Sequence, residues 1–234
     1  MPMRVNAVIV AAGEGRRIGG EIPKPFLPIG GRPMILHTLN RFAESQTVRK
    51  VILVTAARQI SRCHELIQSD PTLHRLEAVI QAGGFRRQDS VGQGLERLDR
   101  DCDVVVIHDG ARPFVSPHLI DRCVEVAFRE GAVVVGIPVR STIKVVSVER
   151  QVQETPPRGC LWEIQTPQVF RTEIIREACR RAAEEGIEAT DDAMLVERLG
   201  KKVSVVEGAA ANIKITLPED LLWAEALLRE GRVL

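Results

Sequence analysis

The sequence predicts an α/β fold: a parallel sheet sandwiched between two layers of helices, with one two-stranded ribbon set into it. Three observations lead there. Short Val/Ile-rich runs recur along the chain at 5–10, 51–55, 78–81, 104–107, 132–138 and 203–207. Near-continuous apolar strands of this kind are buried on both faces, which requires helices on either side of a parallel sheet. Amphipathic stretches at 33–45, 88–98 and 117–130 fall between those runs and supply the helices. The third observation is a break in the rhythm. Residues 139–160 alternate polar and apolar like a two-stranded ribbon. An isolated hairpin is marginal in water, so the ribbon packs either back on its own domain or on a second subunit.

The first strand runs straight into a glycine-rich loop, Gly13-Glu14-Gly15-Arg16-Arg17-Ile18-Gly19-Gly20, followed by Ile22-Pro23-Lys24-Pro25 and no helix pattern before Pro33. Glycines let the backbone turn with positive φ and approach a ligand closely, and successive main-chain N–H groups cradle anions. Arg16, Arg17 and Lys24 beside such a cradle point to a polyphosphate that is gripped and neutralised while it reacts. Prolines bias the residue before them to extended backbone, so Lys24 is expected on a stiffened, extended segment. The loop is not a dinucleotide fingerprint, because Ile18 stands where the third glycine belongs. Nor is it a P-loop, because Glu21 follows Gly20 where a lysine is needed.

The strand 104–107 ends in His108-Asp109-Gly110-Ala111-Arg112-Pro113. In open α/β sheets ligands bind outside the carboxyl ends of strands, so Asp109 shares a crest with the glycine loop. A carboxylate there is a natural Mg²⁺ ligand beside a triphosphate, with Arg112 holding a second anion; the plain alternative is an Asp-Gly turn. Gly83-Gly84 and Ser90, after the strand 78–81, admit a flat base or form an ordinary strand-to-helix loop. Thr190 reads as the N-cap of a helix with Asp191 and Asp192 in its first turn. Residues 212–216 read as a short strand carrying Lys214, either a phosphate ligand or a snorkelling lysine. The closing helix carries a capping box of Thr216 and Glu219, Pro218 in its first turn and Gly231 beyond its end.

Composition narrows the function. A net charge of +1 leaves no broad footprint for nucleic acid, and 3% aromatics with no tyrosine leaves few base-stacking platforms for single strands. Five widely spaced cysteines, without a Cys-x-x-Cys pair, argue against zinc and against a disulfide framework and fit a reducing cytosol. With no signal-peptide core and no apolar run near ~18 residues, a cytoplasmic protein is expected, away from the membrane. The five histidines show no metal spacing and no obvious general base stands out. Nucleotidyl transfer to a phosphate needs none, since a phosphomonoester is already charged by about −1.5 to −2 at pH 7.

Taken in chain order, Ala11-Ala12-Gly13-x-Gly15-x-Arg17, Pro23-Lys24, Asp89-Ser90-Val91, His108-Asp109-x-Ala111-Arg112-Pro113, Pro138-Val139-x-x-Thr142-x-Lys144, Leu161-Trp162, Thr166-Pro167-Gln168, Thr190-Asp191-Asp192-Ala193 and Asn212-Ile213-Lys214-x-Thr216-x-Pro218 resemble the 2-C-methyl-D-erythritol 4-phosphate cytidylyltransferases of the non-mevalonate isoprenoid pathway. The resemblance implies one nucleotidyltransferase domain over 1–234, a Rossmann-like three-layer sandwich on a mostly parallel, twisted sheet, with 139–160 as a protruding β-arm inserted in it. It implies transfer of a cytidylyl group from CTP to 2-C-methyl-D-erythritol 4-phosphate, with Mg²⁺ as cofactor and a homodimer formed through the arm. It assigns catalytic work to Arg17, Lys24, Arg158 and Lys214, and the nucleotide to Ala11, Ala12, Gly13, Gly15, Gly84, Ser90 and Asp109. Asp109 holds the metal. Arg112, Thr190 and Lys214 hold the sugar phosphate, joined by Thr142 and Arg158 from the partner's arm.

Three residues depart from the family pattern: Gly110 in place of alanine, Phe85 in place of a polar residue beside the base, and Ala211 in place of an acidic or polar one. The sister activity on ribitol 5-phosphate is the nearest alternative. A nucleotide-sugar glycosyltransferase fits less well, because Asp109 is followed by Gly110 and Ala111 instead of forming an Asp-x-Asp pair. A non-catalytic nucleotide sensor has no need of Arg17, Lys24 and Asp109 together.

Overall fold

The chain begins with strand β1 (Val5–Ala11), then a small hairpin of β2 (Pro28–Ile29) and β3 (Arg32–Pro33), helix α1 (Met34–Glu44), β4 (Lys50–Thr55), α2 (Ile60–Ser69), β5 (Glu77–Ala82) and α3 (Arg87–Leu95). It continues with β6 (Val104–Asp109), α4 (Pro117–Glu130), β7 (Ala132–Pro138), the short β8 (Val145–Val146) and β9 (Val152–Glu154), and β10 (Trp162–Arg171). Helices α5 (Thr172–Glu184) and α6 (Asp192–Arg198), strand β11 (Ser204–Glu207) and helix α7 (Pro218–Arg229) complete it. This computed structural model describes residues 3–13, 15, 17–20 and 22–232.

Seven strands form one sheet in the order β11-β7-β10-β6-β1-β4-β5. All neighbours are parallel except β10, which runs antiparallel between β6 and β7. Side chains alternate across the sheet as the pleat demands. From β1, Val5, Ala7 and Ile9 enter one core with Leu39 and Phe42 of α1 and Ile120 and Val124 of α4. Val8 enters the other, with Val91 and Leu95 of α3 and Ile175 of α5. The expected three layers follow. A third, smaller cluster seats α7, through Ala224, on Ile29, Met34, Phe114 and Ile215.

From β1 the chain moves outward to β4 and β5, then crosses back to place β6 on β1's other side. That reversal opens a crevice above the carboxyl ends of β1 and β6, where Val10 pairs with Asp109, and such a switch point is where open sheets bind ligands.

Three local expectations need correction, and one strand was not expected. Strand β10 carries Pro167, which cannot donate to a ladder; the register shifts between Gln165 and Gln168 absorb it as a bulge. Residues 212–216 are not a strand: they follow a turn closed by Asn212 N–H to the Ala209 carbonyl at 3.0 Å, and Ile215 N–H ties them to the Ala111 carbonyl at 2.9 Å. The α7 cap is made by Asp220, which accepts from the Thr216 and Leu217 N–H groups at 2.6 and 2.8 Å, and not by Glu219. Asp191, one residue after Thr190, caps α6 by accepting from Met194 N–H at 3.0 Å.

The segment 139–160 projects as a ribbon in which β8 and β9 pair with each other. Its apolar side chains do not fold back on the sheet: Val145, Val146 and Val152 are exposed and Val148 is 97% exposed.

Candidate active site

A cavity of about 330 Å³ sits at the switch point, floored by Ala11, Ala12 and Gly13 from the end of β1 and by Gly84 and Ser90 across from it. Arg17, Lys24, Asp109, Lys214 and Arg87 line its walls. Gly15 turns with φ +66°, and a Cβ there would lie 2.6 Å from the Lys24 Cβ, so only glycine lets the loop close against Lys24. Lys24 is not extended, as its following proline suggests. It opens a single 3-10 turn, Lys24–Phe26, closed by Phe26 N–H to the Pro23 carbonyl at 2.9 Å. Arg16 lies outside the described residues.

Electrostatics centre on Asp109. Its Oδ1 accepts from Arg87 Nε at 3.1 Å, and its Oδ2 pairs with Lys214 Nζ at 2.6 Å. Burial alone would raise the Asp109 pKa; the opposing pull of Arg87 and Lys214 wins and holds it well below the usual carboxylate range. Arg87 also reaches Asp192 Oδ2 from Nη1 at 2.8 Å. Asp192 is 2% exposed, and burial pushes its pKa up against the pull of Arg87. Burial, then the nearby Lys214 charge, brings Lys24 down to about 8. The pocket therefore holds a lysine ammonium that gains from the arrival of an anion.

Asp109 is positioned from below. Its backbone N–H donates to Thr166 Oγ1 at 3.1 Å, which also bonds His108 Nδ1 at 3.1 Å, while His108 Nε2 bonds the Arg112 carbonyl at 3.0 Å. This pattern assigns the Nε2–H tautomer, with the Thr166 hydroxyl donating to Nδ1. Burial lowers His108 to about 4, so the ring is a neutral strut. Thr38 Oγ1 donates to the Gly110 carbonyl at 3.0 Å and fixes the next residue.

The structure brings Ala11, Ala12, Gly13, Gly15, Arg17, Lys24, Gly84, Ser90, Asp109 and Lys214 together. Lys214 is more exposed than its short-strand reading suggests, with 41% of its side chain accessible. The Ser90 hydroxyl is engaged within its own loop, accepting from Gly84 N–H and donating to the Arg86 carbonyl, both at 3.2 Å. Arg112, Thr142, Arg158 and Thr190 do not line this cavity. Arg112 is buried, donating from Nη1 to the Asn212 carbonyl at 2.8 Å. Thr190 and Thr142 are exposed. Arg158 sits at the base of the arm, donating to the Arg140 carbonyl at 2.8 Å. Arg87, Asp192 and Thr166 escape sequence reasoning: two of them look like a loop cation and a capping acid until the fold joins α3 to α6.

Among the described residues no group of three or more His, Cys, Asp or Glu is placed to hold a metal ion. Magnesium asks for less, one or two carboxylates plus substrate phosphates. Asp109 is the carboxylate lining the cavity among the described residues. Each of its oxygens takes one cation, leaving lone pairs of the roughly four a carboxylate carries. The residues present fit a Mg²⁺ shared with a bound polyphosphate.

The sequence model of the 2-C-methyl-D-erythritol 4-phosphate cytidylyltransferase family matches residues 5–230. The chain belongs to this family. A protein of that name from Caldanaerobacter subterraneus subsp. tengcongensis is 43% identical over 228 residues, covering 97% of this chain and all of the relative. One from Dehalococcoides mccartyi is 46% identical over 229 residues, covering 98% of each. The crystal structure of 2-C-methyl-D-erythritol 4-phosphate cytidylyltransferase from Thermus thermophilus superposes with a TM-score of 0.78 at 39% identity, covering 97% of this chain and 100% of that one. The crystal structure of 4-diphosphocytidyl-2C-methyl-D-erythritol synthase from Anaerococcus prevotii gives 0.87 at 29% identity over 97% of each chain. The cytidylyltransferase reading of the motifs is borne out, with the erythritol-phosphate activity favoured over the ribitol one. Among the described residues no helix is long and apolar enough to cross a membrane.

Proposed function

We propose that the switch-point cavity binds CTP and transfers its cytidylyl group to 2-C-methyl-D-erythritol 4-phosphate, releasing pyrophosphate. The observation that carries this reading is the convergence of Arg17, Lys24 and Lys214 with Asp109 on one small cavity. The oxygen of the polyol phosphate attacks the α-phosphorus of CTP; a new P–O bond forms as the α–β bridging bond breaks. The attacking group is already anionic, so no side chain needs to remove a proton. What remains is alignment and neutralisation of charge.

Arg17 and Lys24 face the charge that develops on the phosphates. Lys214, paired to Asp109, stands where a second anion gains from it. Asp109 would hold Mg²⁺, which when bound supplies further positive charge to the triphosphate. Arg87 keeps that carboxylate ionised and in place. The backbone of 11–13 and 83–84 accepts the nucleoside; Thr190 and Arg112, outside the cavity in the free protein, are assigned to the sugar phosphate by the family resemblance alone. The arm at 139–160, an insertion in a single domain over 1–234, carries Thr142 and Arg158 to the other subunit of a two-fold dimer; its exposed valines support that role. The protein works in the cytoplasm.

A pyrophosphate-release assay over four nucleoside triphosphates and several polyol phosphates tests the reading. Turnover restricted to CTP with 2-C-methyl-D-erythritol 4-phosphate is expected; turnover with ribitol 5-phosphate alone contradicts it.

A further inference from the structure

We propose that Phe85 is a stacking platform for the nucleobase, closing the open side of the cavity when a nucleotide enters. The inference rests on the proposed function and goes beyond it in giving a role to a residue that departs from the family pattern. Phe85 is fully exposed, yet it lines the cavity together with Gly84 and Ser90. The other phenylalanines are placed differently. Phe26, Phe42, Phe114 and Phe170 are buried, and Phe128 lies under the Arg171 guanidinium at 5.4 Å. A bare aromatic ring in water forgoes the gain of burial, and this one lies at the rim of a binding cavity.

The surroundings suit a flat ligand. Ala11, Ala12 and Gly13 form part of the same cavity wall and carry almost no side chain. Gly83 is held so close to that wall that a Cβ on it would meet the Ala12 Cβ at 2.5 Å and the Ser90 Oγ at 2.8 Å. The Gly84 N–H to Ser90 Oγ bond and the Arg86 N–H to Asp89 Oδ2 bond at 3.0 Å fix the loop on both sides of Phe85. The backbone carrying the ring is therefore anchored while the ring itself is free to lie over a base. Every base offers a π-face, so stacking raises affinity without choosing among bases. Base choice is left to groups that contact the base edge.

The experiment is equilibrium binding of CTP, UTP and inorganic pyrophosphate to wild-type, Phe85→Ala and Phe85→Trp proteins. Removing a stacked aromatic typically weakens binding by about 5- to 150-fold. Phe85→Ala is expected to raise the Kd for CTP and for UTP by the same factor, on the order of tenfold or more, with pyrophosphate unchanged. Phe85→Trp should hold CTP as wild type does and report it by fluorescence quenching. The substitution removes no packing contact, so the fold survives it. Unaltered CTP affinity in Phe85→Ala overturns the proposal, as does equal weakening of CTP and pyrophosphate, which marks a displaced loop. Wild-type protein that neither binds CTP nor releases pyrophosphate from it contradicts the underlying function instead.

Discussion

Arg87 holds Asp109 and Asp192 at once, with Nε 3.1 Å from one carboxylate and Nη1 2.8 Å from the other. The two acids are 7% and 2% exposed and come from the end of β6 and the first turn of α6. One guanidinium thus ties the cavity-lining end of β6 to the helix after Thr190. Its planar fork suits such bridging; a lysine ammonium is a single point charge. Removing one partner of a buried ion pair costs about 3–5 kcal/mol, because the other charge is left unpaired. Arg87→Ala is expected to lower the melting temperature by on the order of 10 °C and to reduce CTP turnover. Arg87→Lys should fall between. Calorimetry on the three proteins checks the order; a wild-type melting temperature in Arg87→Ala would contradict it.

Lys24 is expected to make the activity sensitive to alkali. Burial and Lys214 bring its pKa to about 8 in the free protein, so above that pH the ammonium proposed to meet the phosphates is progressively lost. The pH profile of kcat/KM for CTP, which reports groups in the free enzyme, should fall above about pH 8 toward a slope of −1. Lys24→Arg keeps its charge and should lose that limb, whatever its absolute rate. Lys24→Ala should cost a factor of about 10² to 10³ in turnover.

Gly15 is the steric condition for Lys24. A methyl group at φ +66° is strained and also runs into the Lys24 side chain. Gly15→Ala should push Lys24 off its position and lower kcat by a factor on the order of 10², with global stability reduced by only about 1 kcal/mol. Denaturant unfolding set beside steady-state kinetics separates the two effects.

Arg158 and the valines of the arm test the proposed composite site. Arg158→Ala should raise KM for the polyol phosphate while leaving KM for CTP and the sedimentation coefficient unchanged. Val148→Asp, on an exposed position, should shift sedimentation equilibrium toward monomer if the arm is the dimer contact. An unchanged polyol-phosphate KM in Arg158→Ala places the arm outside the pocket.

The core strands were readable because burial on both faces leaves a continuous Val/Ile signal, as in β6 and β7. Strand β10 hid behind Pro167, which reads as a breaker until the bulge at 165–168 accommodates it. Caps shifted by one residue, from Thr190 to Asp191, because neighbouring polar side chains compete for the same N–H groups. The glycine loop, Lys24 and Asp109 were legible from chemistry and position. The Arg87–Asp192 link was not, because it joins residues 105 apart and exists only once α3 and α6 pack on the same face of the sheet.

A crystal structure of the protein with CTP and Mg²⁺ tests the central claim most directly. The account predicts the triphosphate at the carboxyl ends of β1 and β6, within hydrogen-bond reach of Arg17 and Lys24, with Asp109 on the metal. A triphosphate bound elsewhere, with those three side chains left as they stand in the free protein, would contradict it.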